Sequence, residues 1–280
     1  MSSATIKLFL PYGDPKQLRI AEISNWTGKA VAAPRTDLDA LLERDELDSA
    51  GVYLLLGTDP ETGKDSAYIG EAEVIRDRLK QHKDREFWVS VVTFVSKDEN
   101  LTKAHVRYLE TKLIQEASQV GRFSLENSQT SNAKLPESDR EDMEVFLERI
   151  RQLLPVLGSD ILTPITRPSA GRQTSQSLFC QIRSAVGKGQ RTVNGFVVFK
   201  GSTAVLQDRP SAEKYPYVLN LRHRLIEEGA LKEENGLFVF MKDVEFTSPS
   251  AAAAVIHGGS ANGLTAWKDD KGRTLKEIEA

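Results

Sequence analysis

Two short segments, whose tyrosines lie fifteen positions apart, most strongly limit what this chain can fold into. The first, Gly51-Val52-Tyr53, opens an apolar run, and the second, Tyr68-Ile69-Gly70, closes a shorter one. Turn-forming residues fill 58–65 between them, which predicts a hairpin of two antiparallel strands. Because side chains alternate across a strand, we expect the two tyrosines to be able to share one face of the sheet.

A helix is predicted directly after the second segment, and its apolar stripe carries two polar side chains. Ile75, Arg78, Leu79 and His82 recur at the spacing of a single helical face. The pattern therefore predicts that Arg78 and His82 point toward the protein and not toward water.

A second amphipathic helix, near 102–117, has one carboxylate on its apolar stripe. Glu110 lies in line with Val106 and Leu109. A carboxylate that faces a core is costly unless it is paired or bound to a metal ion. The sequence leaves two partners open, namely Arg107 on the same helix and a metal.

These residues resemble the GIY-YIG nuclease family over 51–127, about a quarter of the chain. Gly51-Val52-Tyr53 corresponds to the first motif, with Val in place of Ile, and Tyr68-Ile69-Gly70 matches the second. The arginine follows Tyr68 by ten residues, at the family's spacing. By this resemblance the remaining site residues are Arg78, His82, Glu110 and Asn127.

The resemblance implies a bacterial-type, metal-dependent DNA endonuclease in which water attacks the phosphorus in line and leaves a 5′-phosphate and a 3′-hydroxyl. Tyr53 would be the general base with Tyr68 assisting, Arg78 would stabilise the transition state, and Glu110 would hold Mg²⁺ or Mn²⁺. No small-molecule cofactor is implied. The alternatives are a catalytically inactive nucleic-acid-binding protein that retains the fold, and a protein-interaction scaffold. Such a site cuts one strand at a time, so double-strand cleavage would need a homodimer or two visits.

The predicted fold class is an α/β unit followed by a mixed α+β domain. Residues 1–48 are expected to form an N-terminal extension that packs on the nuclease domain, 49–130. That domain would contain a small three-stranded antiparallel sheet flanked by helices. Residues 131–177 are predicted to be a helix and a polar linker, and 178–280 the second domain.

The C-terminal region carries signals of a DNA-binding-like domain. Asn-Gly pairs at 194–195 and 235–236 predict hairpins, and the glycine-rich segment 187–191 reads as a loop. Segment 248–268 resembles a family of uncharacterised domains found downstream of GIY-YIG modules, and it is similar to RAMA domains, which are thought to bind DNA. The candidate nucleic-acid-binding residues are Lys188, Arg191, Arg222, Arg224 and Trp267.

Charge and composition narrow the protein class. The net charge is −3, yet residues 161–226 hold 10 basic and 2 acidic side chains, which fits either a phosphate-tracking surface or a solvated basic face. The single cysteine, Cys180, excludes an intramolecular disulfide and favours a reducing compartment. No apolar run is long enough to predict a membrane span. The N-terminus lacks a signal-peptide layout, so a cytoplasmic location is predicted.

Overall fold

The structure is a computed structural model that describes residues 3–61, 63–127, 134–164, 177–210 and 216–280. Within these ranges the chain is mixed α and β, with eight α-helices and fifteen strands. It divides into two compact units, Met1–Thr163 and Pro164–Ala280. Each unit has its own apolar core.

The first unit is built on one sheet with helices inserted between its strands. In chain order its first elements are β1 (Ile6–Phe9), β2 (Arg19–Ile23), β3 (Gly28–Pro34), α1 (Leu38–Leu42), β4 (Gly51–Thr58), β5 (Asp65–Ala72) and α2 (Ile75–Gln81). The remaining elements are β6 (Trp88–Ser96), α3 (Lys103–Val120), β7 (Ser124–Leu125) and α4 (Glu137–Val156). Short 3-10 helices at Arg35–Asp37 and Asp45–Asp48 flank α1.

The sheet is larger than the three strands that the sequence predicted. Its seven strands run in the order β1-β2-β3-β6-β4-β5-β7, and the predicted β4, β5 and β6 are neighbours within it. The segment predicted as an N-terminal extension supplies β1, β2 and β3, because β3 pairs with β6 along seven residues, from Gly28 to Pro34. The neighbouring strands are antiparallel except for β5 and β7, which are parallel.

Alternation along β4 distributes its side chains between two cores. Val52 and Leu54 face α3 and α4, whereas Tyr53 and Leu55 face α1 and α2. Helices α3 and α4 therefore cover one face of the sheet, and α1 and α2 cover the other. Burial on both faces explains why this strand reads as a continuous apolar run.

The second unit has two sheets around a helix of small residues. Its elements are β8 (Leu178–Ile182), β9 (Ala185–Thr192), β10 (Gly195–Val198), β11 (Thr203–Val205), α5 (Pro216–Glu227), β12 (Leu231–Glu234), β13 (Leu237–Phe240), β14 (Val244–Phe246), α6 (Pro249–His257), α7 (Gly263–Ala266), β15 (Trp267–Lys268) and α8 (Leu275–Ile278). The five-stranded sheet has the order β14-β10-β9-β8-β15, and the other is β11-β13-β12. Both Asn-Gly pairs form the hairpin turns that the sequence predicts, β9–β10 and β12–β13.

The glycine-rich segment 187–191 was wrongly predicted as a loop, since it lies within β9. Glycine is needed at two positions of this strand because neighbouring side chains pack closely against its backbone. A Cβ on Gly187 would lie 3.3 Å from Cγ1 of Ile256, and one on Gly189 would lie 3.3 Å from Cζ of Phe196. Close approach to a strand backbone is a normal reason for glycine in a sheet. In the described ranges, no helix combines the length and apolar character needed to cross a bilayer.

Candidate active site

The two motif tyrosines lie side by side on the face of the sheet that α2 covers. Tyr53 pairs with Gly70 across β4 and β5, and Tyr68 pairs with Leu55. The ring centroids of Tyr53 and Tyr68 are 6.1 Å apart, and the ring planes are inclined by 27°. A Cβ on Gly70 would lie 2.5 Å from the Cζ atom of Tyr53. Because Gly70 has no side chain, it leaves the space that the Tyr53 ring occupies.

We expect Gly70→Ala to damage both folding and the site. The added methyl group must displace a ring with no exposed surface, so the free energy of unfolding should fall by about 1–3 kcal/mol. Urea denaturation measures this loss. In a Tyr53→Ala background the same Gly70→Ala change should cost much less, because the clashing ring is gone. Equal costs in the two backgrounds would contradict the contact.

His82 completes a buried aromatic group with the tyrosines. It directly follows α2, its exposed fraction is 6%, and its Nε2 atom is 2.7 Å from the Tyr53 hydroxyl. Its ring centroid lies 4.8 Å from that of Tyr68. Trp88 fixes the backbone of His82, since the indole Nε1 donates a hydrogen bond to the His82 carbonyl at 3.1 Å.

Burial keeps Tyr53 and His82 electrically neutral at neutral pH. Burial, with a smaller effect of Tyr68, raises the pKa of Tyr53 well above its ordinary value. Burial, Arg85 and Arg78 together lower the pKa of His82 to about 4. The Nδ1 atom of His82 has no hydrogen-bond partner among the residues that the structure describes. Full burial and a raised pKa both oppose a free Tyr53 phenolate, the form in which it would act alone as general base.

Arg78, on α2, is the arginine of the candidate site. The sequence predicted that it turns away from water, but the structure exposes it, and its Nη1 donates a hydrogen bond to Gln81 at 3.0 Å. Its charge acts on the pKa values of Tyr53, His82 and Glu110. It also borders a cavity of about 270 Å³ whose polar lining comprises Glu71, Glu73, Asp77, Arg78, Gln81 and Lys103.

Glu110 provides the carboxylate of the candidate site from α3. Burial and the charge of Glu71 raise the pKa of Glu110 to about 7, partly offset by a hydrogen bond from the Glu71 backbone and by Arg78 and Arg107. Arg107, one of the two partners that the sequence left open for Glu110, forms no ion pair with it among the residues that the structure describes. Arg107 instead contacts Glu71, with Nε and Oε1 3.6 Å apart.

The donor set is compatible with a magnesium ion. The described residues contain no group of three or more His, Cys, Asp or Glu side chains arranged to hold a metal. Mg²⁺ does not require such a group, because it commonly uses one or two carboxylates together with waters and substrate phosphates. Glu110 and Glu71 are two mutually repelling carboxylates, and a divalent cation near both would offset that repulsion.

Asn127 holds the backbone between the motif residues. Its Oδ1 accepts a hydrogen bond from the Ile69 N–H at 3.1 Å, and its Nδ2 donates one to the Ile69 carbonyl at 2.6 Å. Ile69 lies between Tyr68 and Gly70, just beyond the residues of β5 that pair with β7. The contacts of Asn127 therefore indicate a positioning role, in contrast to the catalytic role implied by the resemblance.

The predicted nucleic-acid-binding residues of the second unit fall into two groups. Lys188, Arg191 and Arg224 are exposed, although Arg191 forms an ion pair with Glu279 at 2.7 Å. Arg222 and Trp267 are buried, with 2% and 0% exposed.

The contacts of the two buried residues are structural. The Arg222 guanidinium donates hydrogen bonds to the carbonyls of Val255 and Val205 at 2.7 and 2.6 Å. The Trp267 indole donates to the carbonyl of Pro249 at 3.0 Å. The prediction that Arg222 and Trp267 touch nucleic acid does not fit this placement.

Sequence reasoning missed Arg35, Glu71 and Arg85. Glu71 directly follows the second motif, so its position was a usable signal. Arg85 lies three residues after His82 but outside α2, where helical spacing gives no guidance. Arg35 directly follows β3 and donates a hydrogen bond to the carbonyl of Lys83, next to His82, at 2.7 Å. Local pattern could not identify it, because the pairing of β3 with β6 brings these two segments together.

Comparison with known proteins identifies only the second unit. Residues 178–279 match a domain of unknown function (DUF4357). This match confirms the coarser part of the prediction, an uncharacterised domain in the C-terminal region, whereas the likeness to RAMA domains stays a prediction. No curated protein and no solved structure matches the chain. The matched residues do not include Tyr53, Arg78 or Glu110, so the nuclease resemblance stays a prediction.

Proposed function

We propose that this protein is a metal-dependent DNA endonuclease of the GIY-YIG type. One arrangement carries the proposal: Tyr53 and Tyr68 pack with His82, and the exposed Arg78, whose charge acts on Tyr53, His82 and Glu110, borders an open cavity. A guanidinium in this position can bind the non-bridging oxygens of a phosphodiester as negative charge builds on them. The product ends would be a 5′-phosphate and a 3′-hydroxyl.

The aromatic group provides the route for the proton of the attacking water. Tyr68 is half-buried and is the member nearer to solvent, whereas Tyr53 is fully buried and contacts both Tyr68 and His82. In the tautomer with its proton on Nδ1, neutral His82 accepts a hydrogen bond from the Tyr53 hydroxyl through Nε2. As Tyr68 takes the proton of the attacking water, its own proton would pass to Tyr53 and the Tyr53 proton to Nε2, which leaves both tyrosines neutral. The tyrosines can therefore act together as general base without a free phenolate.

Glu110 and Glu71 are the side chains that would hold Mg²⁺ or Mn²⁺. When bound, the metal would polarise the phosphodiester and ease departure of the leaving oxygen. Asn127 keeps Tyr68 and Gly70 in register through the backbone of Ile69. Exposed Lys188 and Arg224 in the second unit remain candidates for contacts with DNA.

The stability of the metal-free protein should depend on the protonation of Glu110. The folded-state pKa of about 7 lies above the unfolded value of 4.5, so the folded state binds this proton more tightly. The resulting stabilisation is complete below the unfolded pKa and is lost as pH rises through the folded pKa. We expect excess Mg²⁺ to raise the thermal midpoint of the wild type at about pH 8 and to do so much less at about pH 5.

Glu110→Gln is the informative variant in this measurement. It should weaken both the pH dependence and the response to Mg²⁺, because its side chain neither titrates nor carries charge. Glu43→Gln, which removes an exposed carboxylate of the same unit, is the matched control and should behave like the wild type. An equal Mg²⁺ response in wild type and Glu110→Gln would place the metal elsewhere.

The second candidate is a nucleic-acid-binding protein that retains this fold without catalysis. The raised pKa of Tyr53 and the two hydrogen bonds between Asn127 and Ile69 favour it, because both are also expected of a purely structural cluster. The two candidates differ in whether DNA is cut. The endonuclease cuts DNA in Mg²⁺ and loses this activity in Glu110→Gln, whereas the binding protein shows salt-dependent binding without cleavage.

A further inference from the structure

The loop that follows α2 is held by an arginine from the first part of the chain. Arg35 donates hydrogen bonds to the carbonyls of Lys83 at 2.7 Å, of Trp88 at 3.3 Å, and of Arg85. Its guanidinium also lies 4.6 Å from the centroid of the Trp88 ring. Together with the bond from Trp88 to the His82 carbonyl, these contacts tie down both ends and the centre of 82–88.

The fixed loop presents a second arginine to the candidate site. The guanidinium carbon of Arg85 lies 4.8 Å from the centroid of the Tyr68 ring, and the residue is exposed. Within the described part of the chain it forms no ion pair, although Asp84 and Glu86 flank it in sequence. The Arg85 charge reaches the site, since it contributes to the lowered pKa of His82.

An arginine in this setting suits a phosphate group. Stacking on an aromatic ring restricts the guanidinium plane and leaves its N–H donors directed to solvent. A planar fork that is already oriented loses less entropy when it binds a phosphate oxygen pair. Arg85 is stacked in this way on Tyr68, and Arg78, whose charge together with that of Arg85 lowers the pKa of His82, adds a second exposed guanidinium to the same site.

We propose that Arg85 binds a backbone phosphate of the nucleic-acid strand next to the one that Arg78 contacts, and that Arg35 is the residue that positions it. This inference rests on the proposed nucleic-acid substrate, but not on cleavage. It adds a binding residue and a positioning residue that lie outside the motif positions.

The test measures binding of a fluorescent DNA duplex and of its single strand in EDTA across a range of salt. Loss of one phosphate contact should lower the slope of log K against log salt by about 0.9 for the duplex and weaken binding about tenfold at low salt. Arg85→Ala should show both changes. Arg85→Lys should keep the slope and lose part of the affinity.

Two further variants show whether the loss of binding is specific to Arg85 and whether Arg35 acts through Arg85. Arg140→Ala removes an exposed arginine from α4 and should change neither slope nor affinity. Arg35→Ala should weaken binding in the wild type but not in an Arg85→Ala background, because it acts through Arg85. Hydrogen exchange of 82–88 should be faster in Arg35→Ala.

The inference fails if Arg85→Ala keeps the wild-type slope, if Arg140→Ala lowers the slope equally, or if the wild type binds neither probe in a salt-dependent way. The proposed function is tested separately, by DNA cleavage. A wild type that binds through Arg85 but never cuts in Mg²⁺ overturns only the endonuclease. Cleavage that depends on Glu110, with no effect of Arg85→Ala on binding, overturns only the phosphate contact.

Discussion

Replacing Arg78 with alanine should lower the rate of DNA cleavage by about 10²–10³-fold, the usual loss when one donor to the developing charge is removed. Stability should barely change, because Arg78 is exposed and its recorded hydrogen bond goes to the neighbouring Gln81. We expect the loss in kcat and not in KM, since the interaction strengthens as charge builds. Initial nicking rates of supercoiled plasmid at saturating Mg²⁺ give both constants.

Arg78→Lys and Arg140→Ala are the controls for this experiment. Lysine keeps the charge but lacks the planar fork, so it should recover only a small part of the lost rate. Arg140→Ala removes another exposed arginine, far along the chain, and should cut like the wild type. An Arg78→Ala enzyme within about twofold of the wild-type kcat would remove Arg78 from the mechanism.

The second large effect is expected in the second unit, where Arg222→Met should cost about 3 kcal/mol of stability. The change removes the Arg222 donor from the carbonyls of Val205, Leu206 and Val255, of which Val255 keeps a longer hydrogen bond from the Gly258 N–H. It also breaks the 3.1 Å ion pair with Asp208. Buried acceptors without partners account for a loss of this order. Hydrogen exchange of peptides from α5 and α6 should show about a hundredfold loss of protection.

Arg224→Met provides the matched comparison, because it makes the same change two positions along the same helix at an exposed site. Its effect on stability should stay within about 0.5 kcal/mol, as is usual for surface substitutions. Equal protection losses in Arg222→Met and Arg224→Met would contradict the buried role of Arg222. If the exposed residue contacts DNA, Arg224→Met should instead lower the salt dependence of binding.

Local pattern predicted the tyrosine pair well, and the physical reason is clear. A strand has a period of two, so a hairpin with a short loop leaves few ways to place Tyr53 and Tyr68. The structure puts them on one face, with Gly70 opposite Tyr53. Helical spacing likewise placed His82 against the sheet, where its exposed fraction is 6%.

The same reasoning failed where burial depends on distant parts of the chain. Arg222 and Arg224 are two positions apart on α5, and nothing in their immediate sequence shows that one meets carbonyls of β11 and α6. Arg35 reaches the loop 82–88 through strand pairing that a local reading cannot supply. Tertiary contacts decided both positions.

Sheet size was underestimated for a related reason. Residues 1–48 were predicted only as an extension that packs on the nuclease domain, because the pairing of β1 to β3 with the rest of the sheet could not be read from composition. Parallel pairing of β7 with β5 involves only two residue pairs, which is too short to leave a periodic signal. Its position nevertheless matters, because Asn127 follows it and bonds to Ile69.

The most direct test of the proposed activity is cleavage of a DNA panel in Mg²⁺ or Mn²⁺ by wild type and Glu110→Gln in parallel. The panel should contain supercoiled plasmid, methylated and unmethylated duplexes, branched oligonucleotides and single strands. We expect the wild type to cut at least one substrate, to leave 5′-phosphate ends, and to stop cutting in EDTA, while Glu110→Gln binds the same DNA without cutting it. Cleavage at equal rates by the two proteins, or salt-dependent binding without cleavage by the wild type on every substrate, would contradict a nuclease that works through Glu110.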